Sequence, residues 1–130
     1  MILLDTHVMV WLLTAPQQIS VRARDAIVQA RIADEGIGYS PVSLFEIGYA
    51  TRRNRLPLNS TAREFAAAIE ARLDFIPLTN EIAVCAAELA DPFHGDPIDR
   101  IIAATAIVGG YTLITHDGGI RESKLCKTLW

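Results

Sequence analysis

The sequence predicts an α/β fold with a parallel sheet, on three observations. Short apolar runs of strand length alternate with amphipathic or apolar stretches of helical length, which is the pattern of a parallel sheet covered by helices. The first run, Ile2-Leu3-Leu4, is apolar throughout, as a strand covered on both faces must be. Acidic residues recur at or just after the places where a strand hands over to a helix: Asp5, Glu46, Asp99 and Asp117. In parallel sheets these junctions gather at one edge, where ligands bind.

The elements follow in order. Ile2–Leu4 is a buried strand, and Asp5 or Thr6 caps a helix through about Leu13 with Val8, Trp11 and Leu12 at helical spacing, stopped by Pro16. Ser20 caps a second helix whose inner face is Ala23, Ile27 and Ala30, with Val28 at its margin. Gly36–Tyr39 is the second strand. Ser40-Pro41 then starts a helix carrying Val42, Phe45, Glu46, Tyr49 and Ala50, which ends near Arg52-Arg53-Asn54-Arg55, where cations suit the negative end of the dipole. Asn59 or Ser60 begins a helix through about Arg72, Phe75–Leu78 is a third strand, and Asn80 caps a helix through about Leu89. Asp91-Pro92-Phe93-His94-Gly95 is a loop. Asp96-Pro97 starts a helix that is apolar nearly all round and therefore buried; Gly109-Gly110 stops it, Tyr111–Thr115 is a fourth strand, and Lys127–Leu129 adds a short edge strand.

The chain of 130 residues reads as one domain, 1–130, with enough length for a real core. Hydrophobic content of 51% against 21% charged excludes a disordered chain. A net charge of −3 excludes a simple basic clamp for nucleic acid, though not a local acidic site with a basic rim. Asp5 interrupts the apolar N-terminus and no Lys or Arg precedes it, so no secretory signal is expected. Ile101 to Ile114 contains Gly109 and Gly110 and is too short to span a bilayer. Cys85 and Cys126 lack metal-ligand spacing; Cys85 is expected reduced and buried, in a cytoplasmic protein.

Each acid has an ordinary alternative. Asp5 and Asp96 can be helix caps, Asp99 a first-turn acid favoured by the dipole, Glu46 an exposed helical residue, and Asp117 a turn residue before Gly118-Gly119. Their recurrence at equivalent junctions is what points to one pocket. Like charges ~5 Å apart at an effective dielectric of ~20 repel by about 3 kcal/mol per pair. A divalent cation reverses that cost, and hard carboxylate oxygens suit Mg²⁺ or Mn²⁺. The histidines His7, His94 and His116 fall in no zinc spacing.

Four motifs carry a resemblance over essentially the whole chain: Leu3-Leu4-Asp5-Thr6-His7, Ser40-Pro41-Val42-Ser43-Leu44-Phe45-Glu46-Ile47, the run from His94-Gly95-Asp96-Pro97-Ile98-Asp99-Arg100 to Ala106, and Leu113-Ile114-Thr115-His116-Asp117. In their order and spacing the chain resembles PIN-domain ribonucleases of the VapC toxin type. The resemblance implies a PIN-like three-layer α/β/α fold with a central parallel sheet of four to five strands. It implies a catalytic quartet on Asp5, Glu46, Asp99 and Asp117, with Asp96 as an extra acid, binding Mg²⁺ or Mn²⁺. It further implies hydrolysis of RNA phosphodiester bonds leaving a 5′-phosphate and a 3′-hydroxyl, a homodimer, and inhibition by a VapB-like antitoxin. Direct metal contact falls first to Asp5 and Asp99. One departure is His116, where many relatives carry Arg.

Thr6 and Thr115 are candidates to hydrogen-bond the acids, though capping and strand propensity explain them equally well. Arg52, Arg53, Arg55 and Arg100 are candidate phosphate contacts, with a solvated helix end or, for Arg100, a pairing with Asp96 as the plainer reading. A dehalogenase-like Asp nucleophile needs a second Asp where His7 stands, and a receiver domain needs adjacent acids that are absent. An inactive PIN-fold binding module and an RNA-processing nuclease that is not a toxin stay open as alternatives.

Overall fold

The structure, a computed structural model, describes every residue except Asp91, Pro92 and His94. The predicted loop over 91–95 therefore lies partly outside the described residues, as does His94.

Five strands form one all-parallel sheet in the order β3-β2-β1-β4-β5. They are β1 (Ile2–Leu4), β2 (Ile37–Tyr39), β3 (Asp74–Phe75), β4 (Thr112–Ile114) and β5 (Thr128–Leu129). The helices are α1 (Thr6–Thr14), α2 (Val21–Ile32), α3 (Pro41–Arg52), α4 (Ala62–Glu70), α5 (Asn80–Glu88), α6 (Pro97–Gly109) and α7 (Gly118–Ser123). A short 3₁₀ turn, Pro16–Gln18, joins α1 to α2.

Successive side chains of a strand face opposite ways, and this divides the core in two. Leu4, Tyr39 and Ile114 pack with Val8, Ile27, Ile47 and Phe65 on one face. Leu3 and Leu113 pack with Ile102, Ala103, Ala106 and Ile120 on the other. The result is the three-layer α/β/α arrangement that the alternation of elements predicts. β1 is central: it pairs with β2 on one side and β4 on the other. The chain reverses its direction of sheet growth there, which opens a crevice at the carboxyl ends of β1 and β4.

Several expectations need correction. α4 is capped by Thr61, whose hydroxyl accepts from Glu64 N at 3.1 Å, not by Asn59 or Ser60. α5 is capped by Thr79, not Asn80. β3 is Asp74–Phe75, not Phe75–Leu78: Ile76 still donates to Tyr39 O, but Pro77 has no N–H with which to extend the ladder. Val28 faces solvent and does not join the inner face of α2. Cys85 and Cys126 are both free thiols, and Cys85 is half-buried, not buried. Gly118-Gly119 opens α7 where the sequence suggested only a turn, since the Asp117 carboxylate accepts from Ile120 N at 2.7 Å and caps it.

Candidate functional site

Asp5 follows β1 directly and its N–H still donates to Ile114 O at 3.1 Å, so the sheet ladder fixes its backbone. Its side chain is 3% exposed. One carboxylate oxygen accepts from Thr6 N at 2.7 Å and the other from the Thr115 hydroxyl at 2.6 Å. Burial raises its pKa, and these two hydrogen bonds work against the shift.

Thr115 does a second job. Its hydroxyl accepts from Asp117 N at 3.0 Å, so one fully buried side chain ties the acid after β1 to the acid after β4. Thr6 likewise reaches across: its hydroxyl lies 3.0 Å from that of Ser43, and a hydrogen bond from Thr6 to Glu46 lowers that acid's pKa against the dominant effect of burial. Ser43 went unassigned in the sequence. Its signal was a small polar residue one turn before Glu46, on the inward face of an apolar helix.

Asp99 sits in the first turn of α6, whose cap is Asp96. Asp96 Oδ1 accepts from Ile98 N at 2.9 Å and Asp99 N at 3.1 Å. Burial, then the charges of Asp96, Asp5, Asp117 and Glu46, push Asp99 up to about 7. That one carboxyl feels all the other acids is the electrostatic mark of convergence. The tightest group is Glu46, Asp96 and Asp99, whose carboxylate oxygens lie within 4.8 Å of one another. Asp96 is thus a cap and a member of the cluster together, while Asp5 and Asp117 lie near enough to Asp99 to raise its pKa, and each accepts hydrogen bonds from the protein.

The donor set fits a hard divalent cation. It is all carboxylate, and burial together with the neighbouring acids holds the Asp99 pKa up until positive charge arrives. Among the described residues the close group includes no His or Cys.

The basic residues separate. Arg100 donates to Ala86 O at 2.9 Å, Ala87 O at 3.2 Å and Leu89 O at 2.9 Å, so it secures the carboxyl end of α5 to α6 and is neither a phosphate contact nor a partner of Asp96 in these bonds. Arg53 lies 5.2 Å from the Tyr49 ring. Arg55 lines a cavity of about 280 Å³ whose other walls include Thr6, His7, Trp11, Glu46 and Ile47.

A parallel sheet in this order, with carboxylates gathered at its central switch point, defines a class, and the PIN domain family model matches residues 2–124. The chain belongs to the PIN-domain family. It is 32% identical to Ribonuclease VapC22 of Mycobacterium tuberculosis (strain ATCC 25618 / H37Rv), covering 99% of this chain and 98% of that protein. The fold is shared with VapBC2 from Rickettsia felis bound to a DNA fragment from their promoter (TM-score 0.72, 16% identity, 99% and 98% of the two chains). It is shared also with the DNA-bound VapBC from Salmonella typhimurium (TM-score 0.69, 19% identity, 99% and 98%). No helix of the described residues is long and apolar enough to cross a membrane.

Proposed function

We propose that the protein is a Mg²⁺- or Mn²⁺-dependent endoribonuclease acting as the toxin of a VapBC-type pair. The observation that carries this is the convergence of Asp5, Glu46, Asp96, Asp99 and Asp117 at the sheet's carboxyl edge, in a chain with full-length similarity to a VapC ribonuclease. Asp5, Glu46, Asp96, Asp99 and Asp117 would hold the cation, with Glu46, Asp96 and Asp99 as a close group among the described residues. A bound divalent ion at such a site neutralises charge developing on a phosphodiester and makes water a better nucleophile.

The chain's own residues supply order. Thr115 and Thr6 N hold Asp5 in one orientation, Thr115 ties Asp117 to it, and the Asp96 cap fixes the first turn of α6 from which Asp99 projects. Preset carboxylates need no rearrangement during reaction. A VapB-like antitoxin is the proposed protein partner, supported by the toxin–antitoxin assemblies among the structural neighbours. The outward Phe45–Tyr49 pair, stacked at 5.8 Å, offers apolar surface either to that partner or to a second copy in a homodimer.

The test is cleavage of tRNA and rRNA fragments by purified protein with Mg²⁺, Mn²⁺ or EDTA, beside Asp99→Asn. The expected result is metal-dependent cleavage that falls about 10²-fold or more in the variant. No cleavage with either metal would leave a PIN-fold binding module. Cleavage without growth arrest on expression, or arrest that an antitoxin encoded next to it fails to relieve, would leave a processing nuclease.

A further inference from the structure

Beside the acids stands an aromatic ridge that the reaction does not use. Trp11 of α1 lies at its centre, 5.9 Å from His7, 5.6 Å from His116 and 5.7 Å from Trp130, and His116 lies 5.2 Å from Trp130. The tryptophans are half-buried, while both imidazoles are exposed. At one end of the ridge, His7 and Trp11 line a cavity together with Glu46. His7 is close enough to Asp5 and Glu46 to influence their charge, and His116 immediately precedes Asp117.

On the far side Trp130 also walls a cleft of about 410 Å³, reached from Asp117 through Gly118. Arg22, Arg121 and Lys124 line that cleft, with Glu122 as the acidic side chain among its described lining residues. In a protein of net charge −3 this is a local excess of positive charge. The rings therefore link two openings: Trp11 and His7 share a cavity with Glu46, and Trp130 borders the cleft of the cations.

We propose that this surface is a nucleotide subsite for single-stranded RNA. A base next to the reacting phosphodiester stacks on the His7–His116 ridge, and the neighbouring phosphate enters the cleft of Arg22, Arg121 and Lys124. Every base offers a π face, so a stacking platform beside a cationic groove suits single strands of varied sequence. The proposal rests on the nuclease reading and names where its substrate lies.

Both tryptophans of the chain belong to the ridge, so its occupancy reports directly on intrinsic fluorescence. The probe is a 2′-O-methyl hexanucleotide of mixed sequence, titrated in EDTA to prevent cleavage. Quenching is expected, and an abasic oligomer of equal length and charge is expected to quench far less. His116→Ala should weaken binding about tenfold, and His116→Tyr should restore it, since a ring is what stacking needs. Replacing Arg121 and Lys124 by Gln should flatten the salt dependence for both oligomers. Equal quenching by the abasic oligomer or by polyglutamate overturns the proposal, as does unaltered binding by His116→Ala. Metal-dependent cleavage without quenching removes the subsite and leaves the nuclease. Quenching without cleavage in either metal does the reverse.

Discussion

Asp99 shows how a single residue registers its surroundings. Its pKa rises from 3.8 to about 7, first through burial and then through four neighbouring carboxylates. The folded state therefore holds a proton that the unfolded chain releases. The stability from this group is fully present below pH ~4 and is lost as pH climbs through about 7. Asp5 and Glu46 shift in the same direction, also through burial first. In metal-free buffer, Asp99→Asn is expected to gain in melting temperature on the native protein between pH 4 and 7, and to hold that gain above. Parallel melting curves across that range would contradict the convergence. Thr115 makes a second prediction. Thr115→Val leaves Asp5 without one of its donors and Asp117 N without its acceptor, and is expected to cost about 1–3 kcal/mol, read by urea unfolding. A cost near zero would mean that the Thr115 hydroxyl does not tie the two strand ends together.

At the scale of elements, much was legible because local chemistry sufficed. Ser20, Asp96 and the Asp5 cap stand where the sequence placed them, because a side-chain oxygen beside a free N–H needs nothing distant. Gly110 ends α6 with φ +66, as a C-terminal glycine should. Legibility failed where a distant partner decided. β3 is short because Tyr39 and Pro77 end the ladder together. Val28 turned outward because Ala23, Ile27 and Ala30 are the residues of α2 that meet the core. Arg100 seemed a candidate for phosphate, yet it secures the end of α5. Arg100→Met is expected to destabilise the fold by about 2–4 kcal/mol, since it removes charge-assisted hydrogen bonds to three carbonyls. Denaturant unfolding measures this, and a loss of RNA affinity with stability intact would overturn the structural role. A Cβ at Gly38 would push the end of the Ile76 side chain aside. Gly38→Val is therefore expected to destabilise the β2–β3 edge by about 1–3 kcal/mol, measured by the same method.

For the whole molecule, the acidic pocket is a cost to the fold that a bound cation would remove. Binding only the folded state, Mg²⁺ or Mn²⁺ at ~100 times its dissociation constant adds about 2.7 kcal/mol. The native protein is expected to melt higher with either ion at pH 8, and Asp99→Asn is expected to lose most of that rise. An unchanged melting temperature in the native protein would remove the metal from the proposed function.

The sequence by itself determined the alternation of elements, the burial of β1 and the place of Asp5, Glu46, Asp99 and Asp117 at or just after strand–helix junctions, with Asp96 as a helix cap. These depend on local pattern: apolar runs, capping oxygens and strand–helix junctions read within a few residues of one another. Tertiary structure alone decided which acids stand closest, bringing Asp96 into contact range of Glu46 and Asp99 and giving Asp5 and Asp117 to Thr115. It alone set Trp11 between His7, His116 and Trp130. Side chains separated by up to a hundred and more residues meet only when the sheet orders its strands, and no local spacing encodes that distance.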